Sequence, residues 1–396
     1  MASFVELSFW GIVAALALVL RLVPLRRTIV FGLGNLAGLA CLAGLRITAA
    51  AAIAALAYWG VLRAALWLRR EDATSPRIAL GATLAVATPC LLFLLNKLGS
   101  DWLAFRSWFD SYPAAHAIQQ LLVGLAFSYV FLRMIELAHG VLWKGIKLVD
   151  PLSTIGYLFP FHMILAGPVS RYEDYLKWND APASTETWFV FWTGADHVVT
   201  GLIYKYVIAE HLRVLCFGAD SRLASHGWID TAILFVYLFF DFAGYSRMML
   251  GAGTWMGVPT PVNFRSPFAA ATITDFFSRW HMSLGSFIQR NIYTPLQIFL
   301  VRRWGIRRAM WAGLTALVPA WIFVGLWHRA SLGFLVYGLT FAAVVWCEKL
   351  ARDRVLRQPW SQSPGFQWFG RLAGPVYVFV VVTTMLHLVI GELMPA

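Results

Sequence analysis

Long apolar runs recur along this chain, and they restrict its possible folds more than any other feature. The runs are about 17 to 22 residues long, enough for a helix rising 1.5 Å per residue to cross a hydrocarbon core of about 30 Å. Only 13% of the residues are charged, against about 25% in soluble domains, and no run alternates as a barrel strand would. Because backbone polar groups must be paired within lipid, the sequence predicts an all-α integral membrane protein.

These runs predict about eleven membrane spans. No internal repeat or low-complexity linker divides the chain, so a single membrane domain is expected over residues 1–396. The predicted spans are 9–20, 29–45, 47–68, 78–96, 117–135, 152–166, 188–208, 229–250, 309–327, 332–347 and 372–390.

Basic residues between the spans predict the orientation of the chain. Arg21, Arg26 and Arg27 follow the first span, so the positive-inside rule places the N-terminus outside. His328 ends the span that begins at Ala309, and it is expected in the outer half of the membrane because two cytoplasmic basic clusters flank it. The net charge of +12 fits such loops better than nucleic-acid binding. The two clusters are Arg302, Arg303, Arg307 and Arg308, and Lys349, Arg352, Arg354 and Arg357.

Several charged side chains fall inside the apolar runs, where each is a candidate for a buried pair or a functional group. Arg133 and Glu136 are three residues apart on one helix face, where an ion pair would neutralise both. Asp241 lies among aromatic residues and has no basic residue three or four positions away. Its partner is therefore expected from another helix or from water.

The richest polar segment runs from Asn263 to Leu296. Thr272 followed by Asp275 resembles a capping box at a helix start, and Asp275 and Arg279 are spaced as an ion pair on one face. Such a helix cannot face lipid, so it must line a water-filled cavity, lie in the interface or pack as a re-entrant element. Its later polar residues are His281, Ser283, Ser286 and Arg290.

His281 and His328 are the candidate catalytic histidines. Neutral imidazole accepts a proton near pH 7 and returns it, which suits a general base. A hydrogen-bonded structural role is the alternative from spacing alone. The sequence contains no zinc-binding HExxH, no P-loop and no GxSxG nucleophile pattern, and no metal site is predicted.

Three stretches in a fixed order, "DFAGYSRM", "RWHMSLGSFIQR" and "GLWH", resemble the membrane-bound O-acyltransferase (MBOAT) family. Within it they resemble the bacterial branch of DltB and AlgI, closer to the D-alanyl-transferring side. The resemblance covers roughly residues 128–349 and implies the MBOAT fold, a ring of membrane helices around a thin centre. In that fold a cytoplasmic tunnel meets an extracytoplasmic funnel.

The resemblance also implies the roles of individual residues. It places the catalytic histidine at His328 and the second histidine at His281. The donor is implied to be an acyl thioester on the phosphopantetheine arm of an acyl carrier protein, with no cofactor bound by the chain itself. The carrier is expected to dock on the cytoplasmic side at Leu296, Gln297, Ile298 and Val301. The tunnel and acceptor region is expected to include Asp241, Asn263, Asp275, Arg279, Arg290 and Arg329.

Two residues depart from the family pattern. Arg329 stands where the family usually has glycine, and Asn291 stands where it usually has aspartate. Arg329 could bind an anionic acceptor or narrow the funnel, which leaves the acceptor open. The expected acyl group is D-alanyl or acetyl, and the expected acceptor is a hydroxyl of an extracytoplasmic envelope polymer or glycan. A membrane-anchored partner protein is an optional intermediary.

The expected location is the bacterial cytoplasmic membrane, and two rival functions remain open. Arg133, Glu136, Asp241 and the histidines could form the polar path of a transporter or channel. The paired broken helices of an inverted repeat are not visible in the sequence, which argues against that alternative. The second rival function is that of a membrane scaffold without catalytic activity.

Overall fold

Helices account for every regular element in the residues that the structure describes. The computed structural model describes residues 6–23, 26–71, 76–101, 111–180, 187–217, 227–355 and 358–390. No residue within these ranges lies in a β-strand, as expected for an all-α membrane protein. The chain forms two compact units, Met1–Val199 with Arg247–Pro261, and Thr200–Ser246 with Val262–Ala396.

Among the described residues, eight α-helices lie wholly in the first unit, and a ninth leads into the second. Short connections separate most of them. The helices are α1 (Leu7–Leu22), α2 (Arg27–Ala43), α3 (Leu45–Glu71), α4 (Pro76–Asp101), α5 (Pro113–Gly124), α6 (Phe127–Leu142), α7 (Pro151–Leu158), α8 (Tyr172–Asp180) and α9 (Thr187–Leu202).

The second unit holds the segment that the sequence marked as richest in polar residues. Two π-helical stretches, Ile203–Ile208 and Gln289–Tyr293, interrupt its helices. The helix α11 passes back from this unit into the first. The helices are α10 (Ala209–Phe217), α11 (Trp228–Met256), α12 (Ile273–Arg279), α13 (Met282–Ile288), α14 (Thr294–Trp304), α15 (Ala309–His328), α16 (Leu332–Val355) and α17 (Pro364–His387).

Six helices in the described ranges are long and apolar enough to cross a membrane. A seventh span results if the bent pair α5 and α6 is taken as one, and the apolar helices α1 and α2 are shorter. The predicted number of about eleven spans therefore stays a prediction. The six candidates are Leu45–Arg69, Ala79–Leu98, Trp228–Met256, Ile306–His328, Leu332–Val355 and Pro364–His387.

Two of the predicted spans differ from the helices observed. The run 117–135 bends by 77° between α5 and α6, where Ala126 adopts a left-handed backbone with φ of 48°. The run 152–166 contains seven of the eight residues of α7 and a 3₁₀ turn at Phe161–Met163. Eight residues rise about 12 Å, well short of a hydrocarbon core.

Arg133 is fully buried in the first unit, and backbone carbonyl oxygens surround its guanidinium. The Nη2 atom donates to the carbonyls of Met163 at 2.8 Å and Pro168 at 3.2 Å, and Nη1 donates to that of Leu158 at 3.4 Å. Three carbonyl dipoles thus replace water around this charge. Glu136 is also buried one turn later, and its pairing with Arg133 stays a prediction.

The helices α15 and α16 pack antiparallel at very short range. A β-carbon on Gly325 would lie 2.0 Å from the carbonyl oxygen of Phe334, and one on Gly338 would lie 2.4 Å from that of Trp321. Near the other end, the indole of Trp346 donates to the carbonyl of Leu314 at 2.5 Å. This register brings both predicted basic clusters to one end of the pair and His328 to the other. Arg357, the last residue of the second cluster, lies outside the described residues.

The contact at Gly325 leads to a stability prediction. Gly325→Ala should lower the free energy of unfolding by about 1 to 3 kcal/mol, because the added methyl group must push two helix backbones apart. Thermal unfolding in detergent measures the change. Gly370→Ala in α17 is the matched control, since a β-carbon there would have no neighbour within 4 Å. Equal melting temperatures for the two variants would contradict the close packing of α15 on α16.

Candidate active site

A threonine and a glutamate fix the start of α12, the short helix that leads to His281. The Oγ1 atom of Thr272 accepts from the Asp275 amide at 3.0 Å, and the Arg279 Nε donates to Asp275 Oδ1 at 2.8 Å. Both contacts confirm predictions made from spacing. The carboxylate of Glu348, on α16, also accepts from the Ile273 amide at 2.7 Å and the Thr274 amide at 3.2 Å. Sequence reasoning missed Glu348, although an acidic residue at the end of an apolar run was a signal.

The contact of Glu348 with α12 predicts a linked loss of stability and activity. Glu348→Ala leaves two amides at the helix start without their acceptor, so stability should fall by about 1 to 2 kcal/mol. The turnover number should fall as well, because α12 runs directly into the His281 turn. Glu348→Gln retains one oxygen acceptor and should lose less of both. Wild-type melting temperature and turnover in Glu348→Ala would show that the helix start does not depend on this carboxylate.

His281 lies in a strained turn between α12 and α13. Its backbone is left-handed, with φ of 45° and ψ of 51°, a conformation that costs a non-glycine residue about 1 to 3 kcal/mol. Asn263 holds the turn: its carbonyl accepts from the Met282 amide at 2.9 Å, and its side-chain oxygen accepts from the Ser283 amide at 3.3 Å. The Asn263 amide in turn donates to Ser246 Oγ at 3.2 Å. Asn263 therefore links the sequence motif that contains Ser246 to the motif that contains His281 by hydrogen bonds.

The His281 side chain is buried against aromatic rings. Its ring meets Phe242 edge-on at 4.8 Å between centroids and lies 6.3 Å from Trp327. Burial, assisted by the nearby His328 when that ring is protonated, lowers the pKa of His281 to about 3. His281 is therefore a neutral imidazole at neutral pH, able to donate one hydrogen bond but poorly suited to hold a proton.

His328 is the last residue of α15 and, unlike His281, is exposed. Its ring lies 4.8 Å from that of Trp327 and 6.4 Å from that of Phe334. Trp327 thus touches both histidines. Arg329 follows in an extended conformation, and its amide closes the helix by donating to the Gly325 carbonyl at 3.1 Å.

One cavity of about 820 Å³ is lined by both histidines. Its wall is largely apolar and aromatic, and it continues between α13, α15 and α16 to charged residues near the end of α16. Since His328 and that charged end lie at opposite ends of the antiparallel pair, the cavity follows the length of the helices. Its lining includes Trp280, His281, Leu284, Ser286, Gln289, Tyr293, Trp321, Val324, His328, Tyr337, Glu348, Lys349, Arg352 and Asp353.

Asp241 has a charged partner on another helix, as its sequence context predicted. The Lys205 ammonium, from the π-helical stretch before α10, contacts Asp241 Oδ1, which confirms the expectation of a partner on another helix. Gly244 allows this approach, because a β-carbon there would lie 2.8 Å from the carbonyl oxygen of Gly201. The pair lies outside the lining of the cavity.

Six residues predicted for the tunnel and acceptor region do not line this cavity in the described structure. Arg290 instead donates to Ser286, which does line it, and Asn291 donates to the Phe287 carbonyl at 3.0 Å. The others support the turn, cap a helix or form ion pairs, and their roles towards an acceptor stay a prediction. The six are Asp241, Asn263, Asp275, Arg279, Arg290 and Arg329.

The predicted docking positions lie on α14. Ile298 is 46% exposed and its neighbour Phe299 is 62% exposed, which leaves an apolar edge at the end of the unit that carries the arginine cluster. Gln297 is turned inwards against Gly313 of α15. Leu296 and Val301 are half-buried.

Comparison with known proteins decides the family. The sequence model described as MBOAT, membrane-bound O-acyltransferase family, matches residues 42–384. The chain belongs to the membrane-bound O-acyltransferase family. The match extends well beyond residues 128–349, where the motifs lie, and it confirms the resemblance found in the sequence. By this membership the chain is an O-acyltransferase of the membrane.

Relatives of two kinds are similar to the chain. Teichoic acid D-alanyltransferase of Bacillus subtilis (strain 168) is 26% identical over 315 residues, covering 77% of this chain and 76% of that protein. The protein of the same name from Lacticaseibacillus rhamnosus is 27% identical over 234 residues, covering 56% and 58%. Probable alginate O-acetylase AlgI of Azotobacter vinelandii is 29% identical over 316 residues, covering 78% and 59%. The chain thus spans about six tenths of the length of the last two.

Proposed function

We propose that the chain moves an acyl group, D-alanyl or acetyl, from a thioester on a carrier protein to a hydroxyl of an envelope polymer or glycan. The observation that carries this proposal is the cavity shared by His281 and His328, which leads from the histidines to a charged mouth. An apolar channel of this kind admits a thin, largely uncharged arm and excludes water from the reacting thioester. The names of the relatives support D-alanyl and acetyl as the acyl groups.

His328 acts as the general base in the proposed reaction. Its neutral imidazole takes the proton of the acceptor hydroxyl while the hydroxyl oxygen attacks the thioester carbonyl carbon. The carbonyl electron pair moves onto oxygen and forms a tetrahedral oxyanion. When the oxyanion collapses, the carbon–sulfur bond breaks, the ester forms, and the thiolate takes the proton back from His328. An exposed position at the end of α15 suits this role, because acceptor and donor must both reach the ring.

His281 donates a hydrogen bond in the same scheme. A neutral, buried imidazole held by a fixed turn is a preorganised donor, and such donors stabilise an oxyanion most in a dry site. The Asn263 contacts that hold the turn keep the ring oriented without reorganisation during the reaction. His281 therefore stabilises charge, while His328 moves the proton.

The proposed orientation follows from the charge pattern. The mouth of the cavity and the arginine clusters face the cytoplasm, His328 lies in the outer half of the bacterial cytoplasmic membrane, and the N-terminus is outside. We keep about eleven spans in one membrane domain over residues 1–396 as part of the proposal. The carrier docks on the apolar edge of α14, and a membrane-anchored partner hands the acyl group on where the polymer requires it.

Reconstitution of purified protein in lipid vesicles tests the function. Carrier protein loaded with a radiolabelled D-alanyl or acetyl thioester is added outside, with a hydroxyl-bearing glycan as acceptor, and ester product is followed by mass spectrometry. We expect loss of label from the carrier only when the protein is present. Vesicles that leave both loaded carriers intact, with acceptor on either side, would overturn the proposed donor.

A further inference from the structure

The mouth of the cavity has two cationic side chains whose charge the fold does not use. Lys349 and Arg352 line the mouth with Asp353 and Glu348. The Glu348 carboxylate accepts from the amides at the start of α12. In the part of the chain that the structure describes, neither Lys349 nor Arg352 forms a hydrogen bond or an ion pair. The four side chains carry no net formal charge, but the Glu348 carboxylate faces the amides of α12, whereas Lys349 and Arg352 line the mouth without such a contact.

The rise of α16 gives an estimate of the distance from these two cationic side chains to the histidines. The Phe334 ring contacts His328, and at 1.5 Å per residue Lys349 lies about 22 Å and Arg352 about 27 Å farther along the helix axis. Side chains on a helix tilt towards its N-terminus, which for α16 is the end near His328, so long side chains could shorten that distance by about 6 Å. An anion held by both cations would therefore sit about 16 to 21 Å along the helix axis from Phe334, whose ring contacts His328.

A phosphopantetheine arm has matching dimensions. About thirteen bonds separate its phosphorus from its sulfur, which spans about 16 Å when extended. With the phosphate held at the mouth, the thioester carbonyl reaches the two histidines.

We propose that Lys349 and Arg352 bind the phosphodiester of the donor arm and set the depth to which the thioester enters the cavity. The inference rests on the proposed function, since it requires a phosphopantetheine donor. Arg352 supplies a planar fork suited to two phosphate oxygens, and Lys349 supplies a compact charge. Binding at this site fixes the start of the arm, and the length of the arm places the reacting carbon beside His328.

Two small donors test the site without the carrier protein. Acyl-phosphopantetheine carries the phosphate and acyl-pantetheine lacks it, and both are supplied to the protein in detergent with a hydroxyl acceptor. In the Lys349→Gln, Arg352→Gln double variant, KM for the phosphorylated donor should rise about tenfold to a hundredfold, because charge-assisted hydrogen bonds are lost. The turnover number should stay within about twofold, as should both constants for the unphosphorylated donor, because these contacts do not involve the reacting atoms. Arg354→Gln, an exposed residue of α16 outside the cavity lining, is the matched control and should resemble the wild type.

Each contrary result has a separate meaning. Equal KM values of the wild type and the double variant for the phosphorylated donor would overturn the phosphate site and leave the proposed function intact. A defect seen only with intact carrier protein would assign the two cations to the carrier surface and also overturn the site. A wild-type protein that discharges the loaded carrier and both small donors at the background rate would overturn the proposed function, and the site with it.

Discussion

Replacement of His328 by glutamine should lower the turnover number for acyl transfer by about 10² to 10⁴, the usual contribution of a general base. Glutamine keeps a hydrogen-bonding side chain at the end of α15 but cannot take the hydroxyl proton. KM for the donor should change little, because the arm is held by the cavity wall and mouth. Product formation in vesicles at saturating donor and acceptor measures the effect.

The control for this variant is His211→Gln. His211 is exposed on α10, where its ring Nδ1 contacts the Val207 carbonyl one turn back, and it lies outside the cavity lining. Both variants should melt like the wild type, and only His328→Gln should lose turnover. If His328→Gln retained more than half of the wild-type turnover number, the assignment of His328 as the base would be wrong.

Replacement of His281 by asparagine has the second-largest expected effect. Loss of one oxyanion donor lowers turnover by about 10² to 10³ in comparable sites. Asparagine tolerates the left-handed backbone that His281 adopts, so the turn between α12 and α13 should persist. The turnover number should therefore fall while KM for the donor and the melting temperature stay near wild-type values.

His281→Ala separates the chemical role from the backbone role. The left-handed conformation costs alanine about 1 to 2 kcal/mol, so this variant should lose stability as well as turnover. The double variant His281→Asn, His328→Gln should be less impaired than the product of the single effects, because groups that act on one transition state are not additive. Full multiplicativity, or wild-type turnover in His281→Asn, would argue that His281 only supports the fold.

Local features of the active-site segment were predictable from sequence, because their partners lie within one helical turn. Thr272 and Asp275 at the start of α12, and the pairing of Asp275 with Arg279, depend only on three- and four-residue spacing. The contact of Glu348 with the same helix start could not be derived in this way. Its carboxylate comes from α16, far along the chain, and no local rule links the two.

Hydrophobic periodicity likewise could not predict where a helix breaks within an apolar run. The bend at Ala126 occurs in a stretch without proline. The end of α7 two residues before Pro160 is a break that the proline indicates but that hydropathy does not. Hydropathy indicates whether a segment can lie in lipid, but it does not show whether a helix ends within the protein interior. The carbonyl groups freed at such breaks are what receive the buried charge of Arg133.

The sequence by itself determined the class of the protein, its family and the two histidines worth testing, because hydropathy and ordered motifs are properties of the chain alone. Only the tertiary structure decided that His281 is buried while His328 is exposed, and that one cavity joins both to Lys349 and Arg352. The physical reason is the close antiparallel packing at Gly325 and Gly338. That packing places residues that are distant in sequence along one channel. It also fixes the distance between Lys349 and Arg352 at one end and His328 at the other.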